Sequence, residues 1–342
     1  MKIFNAMFSK EMGGIEQAFL DYLRISNVTG VTVIPVIHQS SKIQKFIYGP
    51  RYKVHNFSKF DFFTIMRLKE IIKCENPDCI ITHGTRAARL FQQATKTIPI
   101  ISVCHNYSYK QLLKSPYIIA VSEGLRSMML AVGYNEPNIR TIPNMIAIEE
   151  GITFHAPVFR SPPVIGVIGR FVKKKGFDVF IQALEILKTR NIGFHAVLAG
   201  DGEERKSLEK LVHKLQLKHH ITFVGWVGDK ADFYEKLDVF CLPSIHEPFG
   251  IVVLEAFKYS KPLIATRTDG PSDIIVDGSN GLLCSVGEPI NLADKIELLL
   301  SSQELASKVA ENGFDTMLRT YSADVVVKQI HEAIQSWIGC GS

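Results

Sequence analysis

The sequence predicts an α/β protein made of two doubly wound domains, each with its own parallel sheet. Three observations carry this expectation. Short apolar runs of strand length alternate with amphipathic stretches of helical period along most of the 342 residues, the pattern of repeated β-α-β units. The alternation breaks once, over residues 149–163, where periodicity is lost and prolines stand at 157, 162 and 163; a domain boundary belongs there. The length also suits two domains of ~100–200 residues each.

In the first half, strand-like runs fall at 2–7, 31–37, 52–56, 79–82, 98–104, 117–121 and 138–142. Helical stretches lie between them, among them 14–26, 58–74 and 123–132. Ser58, with Asp61 three residues later, reads as a helix start, and Pro77 follows the end of the same helix. The alternation resumes at 164–168, 194–199, 221–224, 239–242 and 263–266, and the last ~50 residues read as helical throughout. The expected organisation is a first domain over residues 1–150, a linker over 151–163, a second domain over 164–320, and a C-terminal helix in 321–342 that packs back on the first domain. Doubly wound sheets bind ligands beyond the carboxyl ends of their strands, so a ligand between the domains is expected.

Composition excludes several classes. Hydrophobic residues make up 46% and charged residues 21%, values of an ordinary globular protein. No apolar run approaches the ~18–20 residues of a membrane span, and the apolar run at 3–8 is too short for a signal-peptide core. A cytoplasmic protein is expected. Cysteines at 74, 79, 104, 241, 284 and 340 form no C-x-x-C pair, so neither a disulfide framework nor a zinc site is expected. The net charge of +5 is unevenly placed: residues 1–160 carry 19 Lys+Arg against 11 Asp+Glu, and the remainder carry 20 against 23. An acidic partner of the first half follows, such as anionic lipid or a phosphorylated acceptor. Nucleic acid is not expected, because there is no basic helix or nucleic-acid module.

The strongest local signal runs from Pro243 to Ala256. A strand-like run ends in a loop that holds Glu247, and a helix begins at about Gly250. Free amides at Gly250, Ile251 and Val252, unobstructed by a side chain at the glycine, form an anion site suited to phosphate. Glu255 lies five residues on, roughly 7.5 Å along the axis at ~1.5 Å per residue, the reach from a diphosphate to the hydroxyls of its ribose. Its neighbours Ile251–Leu254, Ala256 and Phe257 are all apolar. A half-buried carboxylate there needs donors, and two ribose hydroxyls would serve.

This segment resembles the Glu-x7-Glu signature of the retaining family 4 glycosyltransferases, with Glu247 and Glu255 as its carboxylates. The resemblance implies the two-Rossmann-domain GT-B fold and transfer of a sugar from a nucleoside-diphosphate sugar, UDP- or GDP-linked, with no cofactor and no metal. It implies that Glu255 binds the donor ribose and that Glu247 contacts the donor sugar near the reacting carbon. Arg170 and Lys175, in an Arg-x4-Lys-Gly spacing after the strand-like 164–169, are similar to the family's diphosphate-binding pair; cations at that point would neutralise a departing diphosphate. Gly13-Gly14, after the first strand, resembles the glycine loop that faces the donor phosphates. Gly200, in Gly200-Asp201-Gly202, and Trp226-Val227 occupy the places of the family's turn and backbone contacts near the base. Asp269 and Asp273 depart from a common Gly-Gly-x-x-Glu turn, so no contact is carried over there. His105, at the end of 98–104, resembles a position near the transferred sugar and the acceptor. His38, His83, His213, His219 and His220 have no metal-ligand spacing and receive no role.

The stretch 41–73 mixes Lys42, Lys45, Arg51, Lys53, Lys59, Arg67, Lys69 and Lys73 with Phe46, Tyr48, Tyr52, Phe57, Phe60, Phe62 and Phe63. Cations with aromatic anchors suit an anionic membrane surface; inward packing of the aromatics is the competing reading. The functional expectation is a hexosyltransferase acting on a lipid-linked or glycan acceptor, as in lipopolysaccharide or other surface-glycan synthesis, at the inner face of the cell membrane. Two rivals remain: a nucleotide-sugar 2-epimerase of the same fold, which needs no acceptor, and a non-catalytic nucleotide-sugar-binding protein.

Overall fold

A computed structural model describes residues 1–56 and 61–339. The chain divides into two compact units, residues 1–147 with 321–342, and residues 148–320.

The first unit holds β1 (Lys2–Met7), α1 (Gly14–Tyr22), β2 (Thr32–His38), β3 (Tyr52–Val54), α2 (Phe62–Glu75), β4 (Cys79–His83), α3 (Thr85–Ala94), β5 (Ile100–Cys104), β6 (Tyr117–Ala120), α4 (Glu123–Ala131) and β7 (Ile139–Thr141). Its seven strands are ordered β3-β2-β1-β4-β5-β6-β7, and every pairing is parallel. Strand order reverses between β1 and β4, which makes their carboxyl ends the switch point where such sheets take ligands. The near-continuous apolar strands reflect burial on both faces: Phe4, Ile80 and Ile101 are fully buried. The helix expected from Ser58 is described from Phe62; Ser58 itself lies outside the described residues. Its observed cap is Asp61, whose carboxylate accepts from the Thr64 amide at 3.1 Å.

The second unit holds β8 (Val164–Ile168), α5 (Phe177–Thr189), β9 (His195–Ala199), α6 (Arg205–Lys214), β10 (Ile221–Gly225), α7 (Lys230–Glu235), β11 (Val239–Leu242), α8 (Ile251–Lys258), β12 (Leu263–Thr266), α9 (Asp269–Ile274), β13 (Leu282–Cys284), α10 (Pro289–Ser301) and α11 (Gln303–Thr316). Its parallel sheet is ordered β10-β9-β8-β11-β12-β13, with the switch point between β8 and β11. Phe171, Phe177, Phe180, Leu184, Leu198 and Ile296 lie in its core. At three residues, β13 is too short to show a period-two pattern in the sequence.

The last helix, α12 (Ala323–Ile338), belongs to the first unit. Trp337 stacks on Tyr117 at 5.0 Å, and its carbonyl accepts from the Tyr117 hydroxyl at 3.0 Å. Residues 151–163, expected as a linker, pack on the second unit. The His155 amide donates to Ser260 Oγ at 3.2 Å, and Arg160 meets the buried Asp238 at 2.8 Å. Polar partners at these points give an aperiodic, proline-rich segment a fixed course.

Candidate functional site

In the second unit, the loops after β8 and β11 are held together by backbone. The Lys174 carbonyl accepts from the amides of Ile245 at 2.9 Å and His246 at 3.2 Å. Gly176 sits at φ +64°, and a Cβ there would lie 2.0 Å from the Pro243 carbonyl oxygen. Both the left-handed backbone and the close approach therefore require glycine. The far side of the second loop is fixed by Thr266 Oγ1, which donates to the Ser244 carbonyl at 2.5 Å, and by the Gly270 amide, which donates to the Glu247 carbonyl at 3.0 Å.

This framework brings Lys175 and Glu247 together: Lys175 Nζ stands 2.5 Å from Glu247 Oε2, and Ser244 Oγ donates to the same oxygen at 3.1 Å. Glu247 is buried, so its charge requires such donors. Both donors address Oε2; among the described residues Oε1 takes none. Arg170, two residues past the end of β8, is exposed and makes no ion pair among the described residues. The region thus offers one free guanidinium and one ammonium already committed to a carboxylate.

Gly250 caps α8 at φ +89°, with Glu247 Cγ and Leu242 Cδ2 each 3.3 Å from where its Cβ would be. The first-turn amides of Ile251 and Val252 have no place in the helix's own ladder and remain available to an anion. One turn further on, Glu255 is buried. Its donors were expected to come from a ligand, yet the chain itself supplies two. Lys230 Nζ pairs with Oε1, and the Tyr234 hydroxyl donates to Oε2 at 3.1 Å. Burial and the neighbouring carboxylate push the Tyr234 phenol well above its usual range, so it stays protonated and donates. Tyr234 is itself fixed by stacking on Tyr259 at 5.2 Å. Lys230 and Tyr234 received no role from the sequence. An aromatic four residues after a lysine in a short helix carries no motif, and only the fold places α7 beside α8.

Gly200 sits at φ +131°, and a Cβ there would lie 1.8 Å from the Gly169 carbonyl oxygen. Close packing of the β8 and β9 ends explains this glycine without a ligand. Its amide donates to the Gly225 carbonyl at 2.6 Å, which places the Trp226-Val227 segment beside it; the Trp226 ring is 66% exposed.

In the first unit, Gly13 caps α1, and at Gly14 an added Cβ would meet open space, so the backbone there is open to approach. His105 follows β5 and is half-buried, with Nε2 2.9 Å from Nδ1 of the buried His83 at the end of β4. Desolvation pulls the His105 imidazole down to about 3 and His83 well below its usual value, the latter helped by His105. Both rings are neutral at ordinary pH. Among the described residues, no group of three His, Cys, Asp or Glu could hold a metal ion, and no helix is long and apolar enough to cross a membrane.

Comparison with known proteins gives this geometry a context. Residues 152–316 match the family model "Glycosyl transferases group 1", and residues 31–150 match "Glycosyltransferase Family 4". The lipopolysaccharide core biosynthesis glycosyltransferase LpsE of Rhizobium meliloti is 28% identical over 336 residues, covering 95% of this chain and 96% of its own. A second such enzyme of that organism, LpsD, is 25% identical over 338 residues, with the same coverage of each chain. In structure the chain resembles Anabaena HepE, solved in complex with UDP and glucose, with a TM-score of 0.83, 19% identity, and coverage of 98% of this chain and 100% of that one. Two parallel-sheet Rossmann-like units of the GT-B kind, two family models spanning most of the sequence, and relatives aligned nearly end to end lead to one conclusion: the chain belongs to the family 4 glycosyltransferases and is a glycosyltransferase.

Proposed function

We propose that this enzyme transfers a hexose from a UDP- or GDP-sugar to a lipid-linked or glycan acceptor in surface-glycan synthesis, with retention and without a metal, at an anionic membrane surface. The observation that carries the donor half of this reading is the clustering of Arg170, Lys175, Glu247, the α8 amides and Glu255 around the switch point of the second sheet. Diphosphate binds at Arg170, Lys175 and the amides of Ile251 and Val252, which face the charge that develops as the glycosidic bond to phosphate breaks. Glu247, with Oε1 unused, receives a hydroxyl of the sugar. Glu255 receives the ribose hydroxyls; a carboxylate has about four acceptor sites, so Lys230 and Tyr234 leave room for them. Trp226-Val227 and Gly200 flank the base, Gly13-Gly14 approaches the phosphates, and His105 contacts the transferred sugar or acceptor. Retention is what the family implies. The relatives named for lipopolysaccharide core synthesis support a surface-glycan acceptor.

The membrane half rests on exposed side chains. Tyr48 is 92% exposed, Phe63 83% and Phe62 65%, and the outer face of α2 continues with Met66, Lys69 and Lys73, while Arg67 pairs with the exposed Glu70 at 3.0 Å. The aromatics described here do not all pack inward; Phe57, Lys59 and Phe60 lie outside the described residues. Each cation near an anionic surface adds about 1 kcal/mol.

The test is incubation with UDP-, GDP- and ADP-hexoses in EDTA, with and without a bacterial glycolipid extract. The expected result is acceptor-dependent release of nucleoside diphosphate together with labelled lipid. Epimerised donor without acceptor, or activity only after magnesium or manganese is restored, would overturn the reading.

A further inference from the structure

Parallel pairing places His83 opposite Val103 at the ends of β4 and β5, and His105 lies two residues further on. The two imidazoles meet at 2.9 Å through His83 Nδ1 and His105 Nε2, their ring centroids 5.1 Å apart and their planes 23° from parallel. Phe19 and Tyr22 of α1 enclose His83 edge-on, at 5.6 and 4.8 Å. With both rings neutral, only one of the two facing nitrogens carries a proton. The far nitrogen of the dyad decides which. His83 Nε2 is fully buried and has no hydrogen-bond partner, and the nearby Tyr22 hydroxyl is likewise unpaired. An orphaned buried N–H is rarer than an under-used acceptor, so Nε2 is the bare nitrogen and Nδ1 holds the proton of His83. That N–H donates to His105 Nε2, and neutral His105 must then carry its own proton on Nδ1, which takes no partner among the described residues.

We propose that His83 is a positioning residue that locks His105 in its Nδ1–H tautomer, so that His105 acts as a fixed hydrogen-bond donor to a substrate oxygen and not as a proton-transfer group. The functional part rests on the reading above that His105 contacts sugar or acceptor; the tautomer itself does not.

The experiment labels histidine with ¹⁵N in the full chain and reads each ring's protonated nitrogen by long-range ¹H–¹⁵N correlation, without substrate. The wild type should show His105 protonated on Nδ1 and bare on Nε2. His83→Asn, whose amide N–H replaces the imidazole Nδ1–H, should keep that pattern and kcat. His83→Leu should move the proton onto His105 Nε2 and lower kcat about tenfold, the loss of one neutral hydrogen bond, with donor KM unchanged. A wild-type spectrum with His105 protonated on Nε2, or on both nitrogens at neutral pH, would overturn the lock even if no variant folds. A locked tautomer combined with unchanged kcat in folded His83→Leu would instead overturn the role of His105 at the substrate.

Discussion

Lys175 Nζ and Glu247 Oε2 stand 2.5 Å apart across 72 residues of sequence, each in the loop that follows a strand flanking the same switch point. Held this closely, the ammonium and carboxylate work as one unit. Lys175→Met and Glu247→Gln should each lower kcat by about 10²–10³, the usual loss for one preorganised transition-state contact. The double variant should lose far less than the product of the two, with a coupling of ~0.5–3 kcal/mol. Kinetics at saturating donor check this; multiplicative losses would separate the two roles.

Gly176, next to Lys175, packs against the Pro243 carbonyl. Gly176→Ala faces both a φ of +64° and a backbone oxygen 2.0 Å from the new Cβ. The cost should exceed the ~1–2 kcal/mol of a left-handed residue alone. Gly30, at φ +78° with nothing near its Cβ, provides the control. Urea denaturation should show Gly176→Ala clearly less stable than Gly30→Ala.

The histidine dyad predicts a pH dependence of stability. The His105 pKa falls to about 3 in the fold, and that of His83 is also depressed. Below the unfolded value of ~6.5 the unfolded chain binds protons that the folded chain refuses, so stability is full above that pH and lost as pH falls below it, for His105 down to about 3 at up to ~1.4 kcal/mol per unit, with the depressed His83 adding a loss of the same sign. His83→Leu removes one of these rings. Its stability should therefore decline less steeply than that of wild type between pH 6.5 and 5, measured by urea midpoints.

Much of this was legible in the sequence. Buried parallel strands read as plain apolar runs, and glutamates eight residues apart with a glycine at the helix start are a local pattern. Lys230, Tyr234 and His83 were not legible, because each matters through a partner on another element: α8 for the first two, β5 for the third. A lone histidine at a strand end carries no spacing signal; only the β4–β5 pairing brings it to His105. The course of residues 151–163 is illegible for the same reason, since the partners Asp238 and Ser260 lie far along the chain.

On the outer face of α2, Phe62→Ser with Phe63→Ser should weaken binding to anionic vesicles while leaving fold and donor binding intact, since both rings are exposed. Full insertion of a Phe is worth ~1.5–3 kcal/mol, so the pair should cost tenfold or more in partitioning. Co-sedimentation with anionic and neutral vesicles at low and high salt checks this. Binding should need anionic lipid and fall with salt; equal binding to both lipids would remove the charge from the account.

The most direct test of the donor site compares Glu255→Gln with Glu247→Gln in steady-state kinetics with the preferred nucleotide sugar. Glu255 is placed at the ribose, remote from the reacting carbon, so its variant should raise donor KM with kcat little changed. Glu247 is placed at the sugar, so its variant should lower kcat more than it raises KM. An unchanged donor KM in Glu255→Gln would contradict the assignment of this carboxylate, with its Lys230 and Tyr234 partners, to the nucleotide.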